Sequence, residues 1–333
     1  MQGYLKKCSL VSLLAISPFV AAQKLVVDLD NTSISGLSSG GYMATQFQFA
    51  HAETLVGAGI VAAGPYYCAQ NSISTALSEC VTATTDALDP QVLLDYVSAQ
   101  QAAGNLADEE ALKQQNVFLL HGTLDAKINP KAANLLHAQY QSIGVNNLKF
   151  VNDKAFPHLL PTLSNGVECT ESASPFIGAC DYDAAGEMLK FIYPDLGPKG
   201  QAKKENLITF AQNALTDIKE AEMGEKGFVY VPDSCQQGET CSVHISLHGC
   251  NQNQEDVGDA YAWQSGYNDW AESNHLIVLY PQTKKSKMFP LNPQGCWDWW
   301  GYTGSEFATK QGKQITAIYN LLNALTNIDV KDL

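Results

Sequence analysis

Arginine is absent from this sequence: all 20 basic side chains among its 333 residues are lysines. The chain therefore lacks the guanidinium fork that grips carboxylates and phosphates in bidentate fashion, which argues against a phosphorylated or strongly acidic substrate. Charge is also sparse and lopsided, at 16% of residues and a formal net charge of -14. That balance argues against nucleic acid and against an anionic membrane surface, since either needs a concentrated patch of cations. No apolar run reaches the roughly 18 residues of a membrane helix. Zinc spacings are missing too, with no CxxC pair among the cysteines, and no metal or organic cofactor is implied. What the chain does have is 45% apolar residues. That excludes disorder, and the length suits one large α/β domain as well as two smaller ones.

The N-terminus sets the expected compartment. Lys6 and Lys7 precede an apolar stretch from Leu10 to Val20, and Val20-Ala21-Ala22 supplies small residues at a cleavage site. Residues 1–22 therefore read as a secretory signal peptide, with residues 23–333 as a single catalytic domain acting outside the cytoplasm, extracellular or periplasmic. Of the nine cysteines, Cys8 falls in the leader and eight remain. An even number in an exported chain points to four disulfides, although eight cysteines allow 105 connectivities. Cys68 with Cys80, Cys169 with Cys180 and Cys235 with Cys241 bracket short polar loops, which would leave Cys250 for Cys296.

Short β-rich apolar runs alternate with longer amphipathic segments, the pattern of a mostly parallel sheet flanked by helices. Strands are expected at residues 32–35, 55–62, 116–120, 148–151, 228–231, 243–247 and 276–280. Helices are expected at 42–49, 130–140, 184–192, 206–221 and 309–325. The segment 194–205, rich in Gly, Pro and Lys, is the best linker, yet neither side of it holds enough strands for a covered sheet.

The strongest chemical signal is Gly36-Leu37-Ser38-Ser39-Gly40-Gly41, between an expected strand and an expected helix. It fits the GxSxG nucleophile elbow with Ser38 at its centre, whereas centring it on Ser39 would put Leu37 where the first glycine belongs. A serine hydroxyl needs a base to take its proton and a carboxylate to orient that base. Asp125, in His121-Gly122-Thr123-Leu124-Asp125, and His158, in Phe156-Pro157-His158, follow strands in the expected order of acid, then histidine. Asp153 is the rival acid, while Asp86 and Asp89 read as solvated. His51, His137 and His275 read as structural or exposed, and His121 and His248 as loop supports. One oxyanion donor should be the amide of Ser39. The best match for the second, Leu247-His248-Gly249-Cys250, lies more than 200 residues after the serine, where an unpermuted hydrolase would have it before.

These residues resemble the extracellular polyhydroxybutyrate (PHB) depolymerases of the circularly permuted type. The shared stretches are GLSSGGYMA at 36–44, AAGPYYCA at 62–69, HGTLD at 121–125, LHGCNQ at 247–252, LYPQ at 279–282 and GCWDW at 295–299. The resemblance implies a circularly permuted, single-domain α/β-hydrolase fold and a triad of Ser38, Asp125 and His158. It further implies oxyanion donors at the amides of Ser39 and Cys250 and a substrate-stacking Trp299. In the aromatic run 297–302, Trp297 is a second candidate contact, the alternative being that Trp297 or Trp300 fills core beneath the loop. The expected reaction is hydrolysis of poly(3-hydroxybutyrate) or its oligomers by a monomer, with the polyester as its only partner. Secreted feruloyl and acetylxylan esterases share the LHGC and GLSxGG elements and supply the rival activity. A non-catalytic polymer-binding protein is the rival of a different class.

Overall fold

The structure, a computed structural model, describes residues 24–83 and 88–329. The expected signal peptide, with Cys8, and the weighed alternative Asp86 lie outside the described residues. Eight strands form the main sheet: β1 (Val26–Leu37), β2 (Leu55–Val61), β3 (Asn116–Leu120), β4 (Asn147–Val151), β5 (Leu207–Ala211), β6 (Lys226–Tyr230), β7 (Thr240–Leu247) and β8 (Leu276–Tyr280). Their order across the sheet is β4-β3-β2-β1-β7-β8-β6-β5. The six strands from β4 to β8 run parallel, and β6 and β5 add an antiparallel edge.

Most of the parallel strands are near-continuous apolar runs, as sheets covered on both faces require. Alternate residues along β8 show the division: Ile277 and Leu279 enter one apolar core, Leu276, Val278 and Tyr280 the other. The first core packs against α1 (Ser39–His51), α2 (Pro90–Ala102), α3 (Pro130–Ile143) and α6 (Lys313–Ala324); the second packs against α4 (Ala184–Ile192) and α5 (Tyr267–Ser273). Nearly every residue of α1 is buried, so this helix sits inside the molecule rather than on its surface.

Strands from both sides of the 194–205 segment share this one sheet, with β1 pairing β7 through Gly36 and Leu247. Counted from Leu207 instead of Val26, the order across the sheet becomes 1-2-4-3-5-6-7-8, which is the α/β-hydrolase order. The chain is thus circularly permuted, as expected. The extremities of the described chain meet, Lys24 bridging Asp329.

Residues 206–221 do not form the expected helix. Ile208, Thr209 and Phe210 favour extended backbone, and pairing of β5 with β6 realises that preference. A 3-10 turn at Gln212–Ala214 then ends the strand. The four disulfides are Cys68–Cys80, Cys169–Cys180, Cys235–Cys241 and Cys250–Cys296.

Candidate active site

Ser38 stands between the end of β1 and the start of α1 with φ 58° and ψ -122°, a conformation that costs a non-glycine residue about 1–3 kcal/mol. The surroundings enforce it. The Ser38 amide donates to the Val61 carbonyl at 2.9 Å, and the Tyr42 amide donates to the Ser38 carbonyl at 3.0 Å. Both flanking glycines are sterically required: a Cβ on Gly36 would lie 2.1 Å from the Gly40 carbonyl oxygen, and one on Gly40 would lie 2.3 Å from that of Leu247. The turn thus brings the start of α1 against the end of β7, and with it the first half of the chain against the second.

Asp125 and His158 arise from the loops after β3 and β4. The two loops are zipped together, Thr123 N donating to Lys154 O at 2.8 Å and Leu124 N to Phe156 O at 3.3 Å. A Cβ on Gly122 would lie 2.1 Å from the Phe156 carbonyl oxygen, so only glycine allows this approach. Asp125 Oδ1 accepts from the amides of Lys127 at 2.8 Å and Ile128 at 2.9 Å, and Oδ2 lies 2.8 Å from His158 Nδ1. Burial pushes the Asp125 carboxyl up, but the His158 hydrogen bond and charge and the two amides outweigh it and hold the pKa below the usual value. An ionised Asp125 accepts the Nδ1 proton, which leaves Nε2 of a neutral imidazole as the basic nitrogen. Asp153, the rival acid, is exposed and pairs with Lys154 at 3.6 Å. Asp89 caps α2 through the Gln91 amide.

The stretch after β7 is built on buried polar contacts. His248 is fully buried; its Nδ1 lies 2.7 Å from Gly249 O, and its Nε2 receives the Thr283 amide at 3.3 Å. These partners set the neutral tautomer with the proton on Nδ1, and burial lowers the pKa to about 4. Gly249 N donates to Gln252 Oε1 at 2.6 Å, and Asn251 N donates to Gln294 O at 2.7 Å. The Cys250–Cys296 disulfide then ties this loop to the aromatic segment 297–302.

Within that segment the tryptophans divide. Trp297, expected as a second substrate contact, is fully buried; its Nε1 donates to His248 O at 3.0 Å, and it does not line the cleft. It supports the 248–250 loop from beneath, which corrects the expectation. Trp299 lines the cleft and stacks on Tyr42 with ring centroids 4.4 Å apart. Trp300 also lines it, edge-on to Trp299 at 5.6 Å. Asp298 folds the turn that follows. Its buried carboxylate accepts from the amides of Gly301, Tyr302 and Thr303 and from the Thr303 hydroxyl, at 2.6–2.9 Å.

Ser38, Ser39, His158, Cys250 and Trp299 all border one cleft of about 730 Å³ with mostly apolar walls. Sequence reasoning missed its rim. Ile73 and Leu77 on one segment, and Phe289 and Leu291 on another, line the mouth while remaining about half or more exposed. A hairpin-like closure, Ser286 and Asn292 exchanging backbone hydrogen bonds at 2.9 Å, presents Phe289 at 97% exposure.

Sheet order and strand-turn-helix elbow together define an α/β-hydrolase-fold protein. The sequence model of the prolyl oligopeptidase family matches residues 3–180, just over half of the chain. A polyhydroxybutyrate depolymerase of Talaromyces funiculosus is 35% identical over 308 residues, 88% of each chain. A poly(3-hydroxybutyrate) depolymerase of Delftia acidovorans is 35% identical over 309 residues, 91% of this chain, which spans only 61% of that relative's length. Among solved structures, the crystal structure of PHB depolymerase from Penicillium funiculosum superposes with a TM-score of 0.83 at 31% identity, covering 92% of this chain and 99% of that one. A serine-to-alanine variant of PHB depolymerase in complex with an R3HB trimer matches to the same extent. The chain belongs to the prolyl oligopeptidase family by the first match and to the polyhydroxybutyrate depolymerase family by its relatives.

Proposed function

We propose that this protein is an exported, monomeric serine esterase that hydrolyses poly(3-hydroxybutyrate) or its oligomers. The observation that carries the reading is the meeting of Ser38 and His158 on one apolar cleft, with Asp125 bonded to His158 from behind. An apolar cleft with aromatic walls suits an uncharged polyester, because rings bury area without requiring ionic partners. Four disulfides accord with an oxidising compartment.

Ser38 Oγ bonds to the ester carbonyl carbon while its proton passes to His158 Nε2. The amides of Ser39 and Cys250 face the developing oxyanion, and Asp125 stabilises the imidazolium. Collapse breaks the bond to the alkoxy oxygen, which leaves as an alcohol with the proton from His158. Water then attacks the acyl-Ser38 ester by the same route and releases a carboxylic acid. Trp299 forms the wall against which the chain lies.

The test is release of 3-hydroxybutyrate oligomers from a polymer suspension, with a phosphonate probe to label the nucleophile. Ser38→Ala is expected to lose labelling and about 10⁶-fold in rate while keeping its fold. Undiminished clearing by Ser38→Ala would overturn the assignment, and turnover of feruloyl esters without any of polyester would overturn the substrate.

A further inference from the structure

Among the described residues lining the cleft, Lys127 is the only one of the Asp, Glu, Lys and Arg types. Many other lysines of this acidic chain are paired with carboxylates, as Lys113, Lys203 and Lys285 are. Lys127 is exposed and makes no ion pair among the described residues. We infer that Lys127 selects the free carboxylate end of a polyester or oligomer bound on the leaving-group side of Ser38, a reading that rests on the proposed hydrolase activity.

Position and chemistry agree on that side. The Lys127 amide donates to Asp125 Oδ1 at 2.8 Å, so its side chain springs from the Asp125 loop, which is zipped to the loop carrying His158. His158 protonates the departing alkoxide, which places this loop beside the leaving group. In a polyester of a 3-hydroxy acid, the fragment that leaves as an alcohol ends in a carboxyl group, whereas the acyl fragment ends in a neutral hydroxyl. Only the leaving-group side therefore meets an anion. A protein of net charge -14 would repel that anion, and one unpaired lysine at the right wall offsets the repulsion locally. The flexible ammonium acts as a point charge rather than a geometric fork, so the selection is modest.

The experiment compares the (R)-3-hydroxybutyrate trimer as free acid and as methyl ester. Binding is measured by calorimetry in the Ser38→Ala background and kcat/KM in the active enzyme, each with Lys127, Lys127→Met and Lys127→Glu. The lysine proteins are expected to favour the free acid by about two- to fivefold, the range of an exposed ion pair. The preference should shrink with added salt, vanish in Lys127→Met and reverse in Lys127→Glu. An acid-to-ester ratio that is the same in all three proteins overturns the inference. A binding preference that follows Lys127 while the active enzyme turns over neither compound supports the carboxylate site and overturns the hydrolase reading instead.

Discussion

The two walls of the cleft are held by different means. The wall carrying Asp125 and His158 comes from two loops after neighbouring strands, zipped by backbone hydrogen bonds and centred on one carboxylate with three donors. The wall carrying Cys250 and Trp299 comes from distant sequence and is joined by a disulfide, the buried His248 and the four-donor Asp298. Proton transfer tolerates little misplacement, and the first wall is built from short, local connections. The second wall joins two loops 46 residues apart in sequence, with α5 and β8 between them, and a covalent tie limits how far those loops can separate.

Four variants would break or sharpen that contrast. Asp125→Asn keeps the first wall's shape but favours the wrong imidazole tautomer, so kcat should fall about 10⁴-fold with an unchanged melting curve; a fall below tenfold would deny His158 its partner. Paired Cys250→Ser and Cys296→Ser frees the second wall. Hydrolysis should drop about 10²-fold as one oxyanion donor loses its place, and stability by about 2–4 kcal/mol, read by urea unfolding. The smallest effect on the reaction separates the tryptophans. Trp299→Ala should raise KM about tenfold through lost stacking, whereas Trp297→Phe should leave KM alone and cost about 1–3 kcal/mol by orphaning the His248 carbonyl. A KM that moves with Trp297 instead would return that residue to the substrate.

The same contrast explains what could be read before the fold was known. Ser38, Asp125 and His158 each sit in a short motif whose spacing has a local cause: two glycines that leave no room for a Cβ, and loops directly after strands. Strand 276–280 and helix 184–192 were legible for a similar reason, being apolar runs of one period. Residues 206–221 were not, because their conformation depends on pairing with 226–230. Trp297 and Trp299 belong to an irregular loop without a period, and tertiary contacts, Trp297 with the His248 carbonyl and Trp299 with Tyr42, decide which ring faces the cleft. The rim residues Ile73, Leu77 and Phe289 gain meaning only once distant segments meet.

The bridge between Lys24 and Asp329 makes the described polypeptide, residues 24 to 329, nearly a closed ring. Around a ring the order of elements has no beginning, so permutation changes only where the circle is opened. The 194–205 strap runs largely exposed along the surface, tied down by Gly200 N to Asp269 O and Ala202 N to Asp269 Oδ1, each at 2.9 Å. Opening the circle there and sealing it at 24 and 329 would yield a protein that starts with β5, in the unpermuted hydrolase sequence of strands. Its cleft would be lined by the same side chains, and the 248–250 loop would then be synthesised ahead of Ser38.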